Sequence, residues 1–184
     1  MPAKVCKRLV IDASVARAAG RENATNPTAK NCRDFLKVVR ELRHIIVMTP
    51  DIKEEWNKHQ SLFARRWRSS MVAQKQLEYR TDILTNNELW DVCDRLAETD
   101  NQRQEMFKDL RLLEAALVTD KIVISLDDNT ARRFFSRAAR ELEAIADIVW
   151  VNPNNVEEEQ PIAWLENGAE PEKERYLGFW QPEG

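Results

Sequence analysis

The chain predicts an α/β fold of three layers, α/β/α, around a central parallel sheet, with a long helical insertion and a C-terminal extension. Three observations carry this. Short apolar runs rich in β-branched residues recur at residues 8–11, 44–48, 121–125 and 147–151, as strands buried on both faces do. Stretches of helical periodicity separate them, and that alternation implies parallel pairing through right-handed crossovers. The 184 residues, 43% hydrophobic and 32% charged, suffice for one well-buried core.

The elements follow in order. Arg8-Leu9-Val10-Ile11 is the first strand, and Asp12, Ala13 and Ser14 offer helix-start chemistry before an apolar turn at 15–19. Residues 20–28 are loop-like, with Asn26-Pro27 as the turn signal. Cys32, Phe35, Leu36, Val39 and Leu42 fall at helical spacing before the second strand, 44–48. Thr49-Pro50-Asp51 opens the next helix with proline at its first position, and Ile52, Trp56, His59, Leu62 and Phe63 share one face. Residues 63–105 read as wholly helical, with a break near 84–87. Residues 106–119 are an amphipathic helix through Phe107, Leu110, Leu113, Ala116 and Leu117. The third strand is 121–125, a helix covers 129–145, and the fourth strand is 147–151. The division expected is a core domain at 1–153 and an acidic, aromatic extension at 154–184. Ala163-Trp164-Leu165 and Tyr176-Leu177-Gly178-Phe179-Trp180 in that extension are expected to dock on the core or on a second subunit.

Composition excludes several chemistries. The glycines are Gly20, Gly168, Gly178 and Gly184, so the clustered glycines of a P-loop or a dinucleotide fingerprint are missing. His44 and His59 are too few for a three-histidine zinc site. Cys6, Cys32 and Cys93 are widely spaced and odd in number, which argues against a disulfide framework and fits a reducing cytoplasm. The first residues, Met1-Pro2-Ala3-Lys4-Val5-Cys6, lack the apolar stretch of a secretory signal. No apolar run approaches the roughly 18 residues of a membrane span.

The net charge of −3 is unevenly placed. Residues 154–184 hold eight acids against Lys173 and Arg175, a net −6, whereas residues 53–80 hold seven basic residues against three glutamates. A solvated helix face and an acidic terminus are the default explanation of such asymmetry; the sharper one is a basic surface for a polyanion, with an acidic segment able to compete for it.

Ligands of an open parallel sheet sit beyond the carboxyl ends of its strands. There stand Asp12 after the first strand, Glu54 and Glu55 on the helix after the second, and Asp127 and Asp128 after the third. Asp109 precedes them on the helix that runs into the third strand. Singly, each has a plainer reading: Asp12, Asp127 and Asp128 as helix caps, Glu54 and Glu55 as first-turn acids favoured by the helix dipole. Their convergence on one edge does not follow from capping. Clustered carboxylates raise one another's pKa, and a hard divalent cation, Mg²⁺ or Mn²⁺, relieves the repulsion. Such an ion activates water and neutralises a phosphoryl oxygen, which points to phosphate-ester hydrolysis.

In this order and spacing the residues resemble the PIN-domain nucleases, which include the VapC-type toxins. The matching motifs are Leu9-Val10-Ile11-Asp12-Ala13-Ser14, then Val47-Met48-Thr49-Pro50-Asp51-Ile52-Lys53-Glu54-Glu55-Trp56. The helix from Asp109 through Leu110, Leu113 and Ala116 follows, then Ser125-Leu126-Asp127, and Asn152-Pro153 closes the pattern. The resemblance covers residues 5–153 and favours Glu55 over Glu54. It implies a Mg²⁺- or Mn²⁺-dependent ribonuclease in which Asp12, Glu55, Asp109 and Asp127 hold the metal. Ser14 and Ser125 would orient carboxylates or touch the phosphate, with Asp128 assisting through water. Glu114 and Asp128 stand near the matched acids as alternatives. Arg65, Arg66, Arg68, Lys75 and Arg80 are expected to flank the cleft and take an RNA backbone, with Trp67 as a stacking candidate and Trp56 and Trp90 as packing residues. A toxin setting implies an antitoxin partner and a homodimer. Two rival readings are a PIN-like module that binds without cutting and a haloacid-dehalogenase-type phosphatase. The latter wants a second aspartate where Ser14 stands.

Overall fold

Every strand pairing in the sheet is parallel. A computed structural model describes residues 5–181. Residues 1–4, read above for a targeting signal, and 182–184, with Glu183 of the acidic tail, lie outside the described residues. Strands β1 (Arg8–Ile11), β2 (Ile45–Met48), β3 (Leu77–Tyr79), β4 (Ile122–Ile124) and β5 (Val149–Val151) stand in the order β3-β2-β1-β4-β5. Val10 and Ile11 of β1 pair with Val123 and Ile124 of β4, while Arg8 and Leu9 pair with Ile45 and Ile46 of β2.

Right-handed crossovers assign the helices to faces. The chain moves outward from β1 to β2 to β3 through α1 (Ala13–Ala18), α2 (Pro27–Glu41), α3 (Pro50–His59) and α4 (Leu62–Ala73), which pack on one another. It then returns across the sheet to β4 and β5 through α5 (Asn87–Leu96), α6 (Asp100–Leu117) and α7 (Arg133–Ala138) on the opposite face. The result is the three-layer α/β/α arrangement that the strand–helix alternation implies. Helices start where side chains can cap them. Asn26 Oδ1 accepts from Thr28 N, Thr49 Oγ1 from Ile52 N ahead of Pro50, and Ser61 Oγ from Ala64 N. With so few glycines, three helix-to-strand turns use left-handed lysine or arginine instead: Arg43 (φ 66°), Lys75 (φ 60°) and Lys121 (φ 60°).

Two expectations need correction. Residues 63–105 are not wholly helical. Lys75 ends α4, and buried Gln76 donates through Nε2 to His44 O (2.9 Å), leading the chain into the edge strand β3. Nor is 129–145 one helix. A wide π turn at Asp128–Arg132 precedes α7, with Arg132 N donating to Asp127 O, and Glu143–Ile145 is a separate 3₁₀ turn.

The C-terminal extension packs on the core. After the short α8 (Val156–Glu159), α9 (Pro161–Glu166) lies on α2, and Trp164, Leu165, Ala169 and Leu177 join the main apolar cluster. Tyr176 bridges antiparallel to Val149, and Leu177 N donates to Ile148 O, so the tail covers the free edge of β5. The chain passes so close here that a Cβ on Gly178 would stand 2.9 Å from Ala146 Cβ. Among the described residues no helix is long and apolar enough to cross a membrane.

Candidate active site

The strand order reverses between β1 and β4, and the crevice of an open parallel sheet lies at that switch point, beyond the carboxyl ends of the strands. Asp12 follows β1 there. Its backbone N–H donates to Ile124 O (2.8 Å), tying the ends of β1 and β4 together. Asp12 occupies the N-cap position of α1 but its side chain makes no cap bond. Instead Oδ2 accepts from Ser14 Oγ (2.7 Å) and Ser125 Oγ (3.0 Å). Ser14 Oγ in turn accepts from Leu126 N (3.2 Å), and Ser125 Oγ from Asp127 N (3.1 Å). Each hydroxyl thus spends its proton on Asp12 and a lone pair on the backbone after β4, fixing the carboxylate's orientation.

Asp109 comes from α6 on one face of the sheet, and Glu55 from α3 on the other. These helices touch each other over the sheet edge. Trp56 anchors α3 to β1, its Nε1 donating to Ile11 O at 2.8 Å, one residue before Asp12. Between the helices lies a cleft of about 420 Å³ whose lining includes Asp12, Glu55, Glu105 and Asp109. Burial pushes the Asp109 carboxyl up to about 8, and the charges of Asp12, Asp127, Glu105 and Glu55 push it the same way. Asp12 is raised too, chiefly by burial and further by Asp127, against the lowering pull of its two serine bonds. Among the described residues neither Asp12, Asp109 nor Asp127 has an ion pair with a basic side chain.

Of the sequence-derived acids, Asp12, Glu54, Glu55 and Asp109 line the cleft. Asp127 caps the following turn through Oδ1 to Thr130 N (2.9 Å) while its charge acts on Asp12 and Asp109. The alternatives have other work. Glu114, 4% exposed, accepts from Asn86 N, Trp90 Nε1 and Arg111 Nη1. Asp128 is engaged elsewhere: its oxygens accept from Arg132 Nη1, Asn152 Nδ2 and Asn155 Nδ2, and its charge is paired with buried Arg132. Glu54 is exposed and pairs with Lys58 at 3.2 Å.

The basic arm does not supply the lining of the cleft. Arg65, Arg66, Arg68 and Lys75 are not among the described residues lining the cleft, and neither is Arg80. Arg68 donates to Asn57 and Arg80 is held by Asp82. Trp67 does not present a stacking face: it is 1% exposed, lies against Trp56 and donates Nε1 to Leu36 O. The cations that line the cleft are Lys58, Lys108 and Arg111, with Trp90, read above as a packing residue, beside them. Glu105 was missed as well. Its spacing of four residues from Asp109 puts both on one face of α6, and that spacing was the available signal.

Among the described residues no three His, Cys, Asp or Glu side chains are gathered in a grouping that could hold an ion as they stand. The donor set nonetheless fits a hard divalent cation. It is all carboxylate oxygen, drawn from four segments and half-buried; Glu55 faces Lys58 at 3.9 Å and His59 at 3.5 Å, whereas Asp12, Asp109 and Asp127 have no ion pair among the described residues. Like charges hold such carboxylates apart, and an ion between them reverses the sign of that interaction. Comparison of the chain with protein-family models, with curated proteins and with solved structures finds no significant match.

Proposed function

We propose that this site is a Mg²⁺- or Mn²⁺-dependent phosphodiesterase centre acting on RNA, with Asp12, Glu55, Asp109 and Asp127 as the metal-holding carboxylates. The observation that carries the reading is the gathering of carboxyl groups at the switch point of the sheet, where Asp12, Asp109 and Asp127 have no ion pair among the described residues and disfavour one another's ionisation. Asp109 is raised to about 8 by burial and by four neighbouring acids, in a cleft open to a ligand. A bound divalent cation supplies an activated water and neutralises charge on a phosphoryl oxygen. The chain's own residues do the rest. Ser14 and Ser125 hold Asp12 in one orientation through Oδ2. Trp56 keeps Glu55's helix against the end of β1. Lys58 and Lys108 give the acidic cleft the cationic rim that a phosphodiester backbone requires.

The order and spacing of the acids, which resemble the PIN-domain nucleases, support the same reading, and with it a toxin paired with an antitoxin protein. A module that binds RNA without cutting is the second reading. It is favoured by the lack of a preassembled three-ligand cluster among the described residues. The test is cleavage of a labelled single-stranded RNA with Mn²⁺ or Mg²⁺, with EDTA and Asp12→Asn as controls. Cleavage abolished by both is the expected result. RNA binding without metal-dependent cleavage selects the module and overturns the hydrolytic reading.

A further inference from the structure

We propose that Arg111 is a preset phosphate-binding residue of the cleft, contacting the backbone of single-stranded RNA beside the scissile position; the choice of RNA rests on the reading above. Arg111 lies two residues after Asp109 on α6 and lines the same cleft. Its guanidinium is held in three ways. Nη1 donates to Glu114 Oε1 (3.0 Å), the group lies over the Trp90 ring at 4.9 Å, and Nε stands 3.7 Å from Asp51 Oδ2. The holder is itself held: Glu114 Oε2 accepts from Asn86 N (2.7 Å) and Trp90 Nε1 (3.1 Å). One buried carboxylate therefore locates both the ring and the guanidinium lying on it. Phe107, 4.6 Å from the Trp90 ring, backs that ring in turn.

Such support is more than an arginine on a solvated helix face needs. It fixes the rotamer of a long side chain before any ligand arrives, and the ordering cost is met in the free protein. The side chain is still 33% exposed, and Nη2 has no hydrogen-bond partner among the described residues. A planar N–H edge therefore remains for an anionic oxygen. The other cations of the cleft are less suited. Lys58 is shared between Glu54 and Glu55 at 3.2 and 3.9 Å, and Lys108 is an exposed point charge. Because Glu114 offsets part of the guanidinium charge, the contact acts through directed hydrogen bonds more than through net attraction. That suits a chain of phosphates entering between acids.

The experiment uses the full chain in two formats. Binding of a fluorescein-labelled oligouridylate is followed by anisotropy across a salt series, in Mg²⁺ and in an Asp12→Asn background. Cleavage kinetics are measured with Mn²⁺ in the otherwise wild-type chain. Arg111→Gln, Arg111→Lys and Arg140→Gln are compared, Arg140 being an exposed residue outside the cleft. Arg111→Gln is expected to weaken binding about tenfold and to reduce the slope of log K against log salt by about 0.7, one phosphate contact. It should raise KM with kcat changed less than threefold, and Arg111→Lys should recover the salt slope but only part of the affinity. A role confined to folding would lower Tm and leave the salt slope unchanged. If Arg111→Gln is too unstable to test, the deficit of Arg111→Lys at unchanged charge decides the matter. Affinity, slope and KM of the Arg111 variants equal to those of Arg140→Gln would overturn the proposal, as would no RNA binding by the parent chain. Arg111-dependent binding without cleavage supports it while refuting the hydrolytic reading.

Discussion

Asp109→Asn should make the metal-free protein more stable, and increasingly so as pH rises. In the folded chain this carboxyl is pushed up to about 8 from an ordinary value of 3.8. Between those values the unfolded chain has released the proton and the folded chain keeps it, so stability falls with rising pH. The contribution is fully present below the unfolded pKa and is lost as pH climbs through the folded one. At about 1.4 kcal/mol per unit, a shift of roughly four units sets a ceiling between 5 and 6 kcal/mol. Water in the open cleft screens the repulsion, and the expected gain for the uncharged, near-isosteric asparagine is about 2 kcal/mol at pH 8.5 and close to zero at pH 4.5. Urea denaturation of both proteins at the two pH values, in EDTA and again in millimolar Mg²⁺, measures it. Magnesium should stabilise the parent and erase the advantage of the variant, since the ion binds only the folded state. A variant equal to or weaker than the parent at pH 8.5 in EDTA would refute the claim that burial and neighbouring acids disfavour the ionised Asp109 carboxyl.

Further outcomes follow from individual residues. Ser14→Ala removes one of the two side-chain hydrogen bonds that stabilise ionised Asp12, and Mn²⁺ affinity by calorimetry should fall about tenfold. Glu114→Ala leaves Asn86 N, Trp90 Nε1 and Arg111 without their buried acceptor and should cost about 3 kcal/mol in urea denaturation. Lys75→Gly relieves a left-handed residue at φ 60° that has no ion pair among the described residues. Thermal unfolding should show a gain of up to about 1 kcal/mol, the relief being larger than glycine's entropic cost.

The buried parts of the fold were the legible ones. Leu9-Val10-Ile11 announces β1, because the part of a strand covered on both faces has no polar position to interrupt it. Thr49-Pro50 announces the start of α3 through a cap and a proline that needs no N–H. The edge strand β3 was hidden: in Leu77-Glu78-Tyr79 only one residue is aliphatic, and its pairing partners in β2 are 31 residues away in sequence. At the site, the sequence could place acids on segments but not choose between neighbours. Asp109 and Glu114 are five residues apart on one helix, about 140° around its axis, so they serve different surroundings: the cleft for Asp109, the Asn86–Trp90 corner for Glu114. Asp127 and Asp128 part for a similar reason, since buried Arg132 claims the second of them. The arginines of α4 could not be placed from sequence, because charge on a helix says nothing of which side of the molecule it faces. Arg111 has no local motif, and its support assembles only when α5 and α6 pack.

The most direct test of the metal-centre claim is anomalous scattering from a crystal of the protein grown with Mn²⁺. A manganese peak is expected within about 2.5 Å of carboxylate oxygens from Asp12 and from Asp109 or Asp127, lost in the Asp12→Asn variant. Ordered carboxylates with no peak between them at millimolar Mn²⁺, or a peak that survives Asp12→Asn, would contradict it.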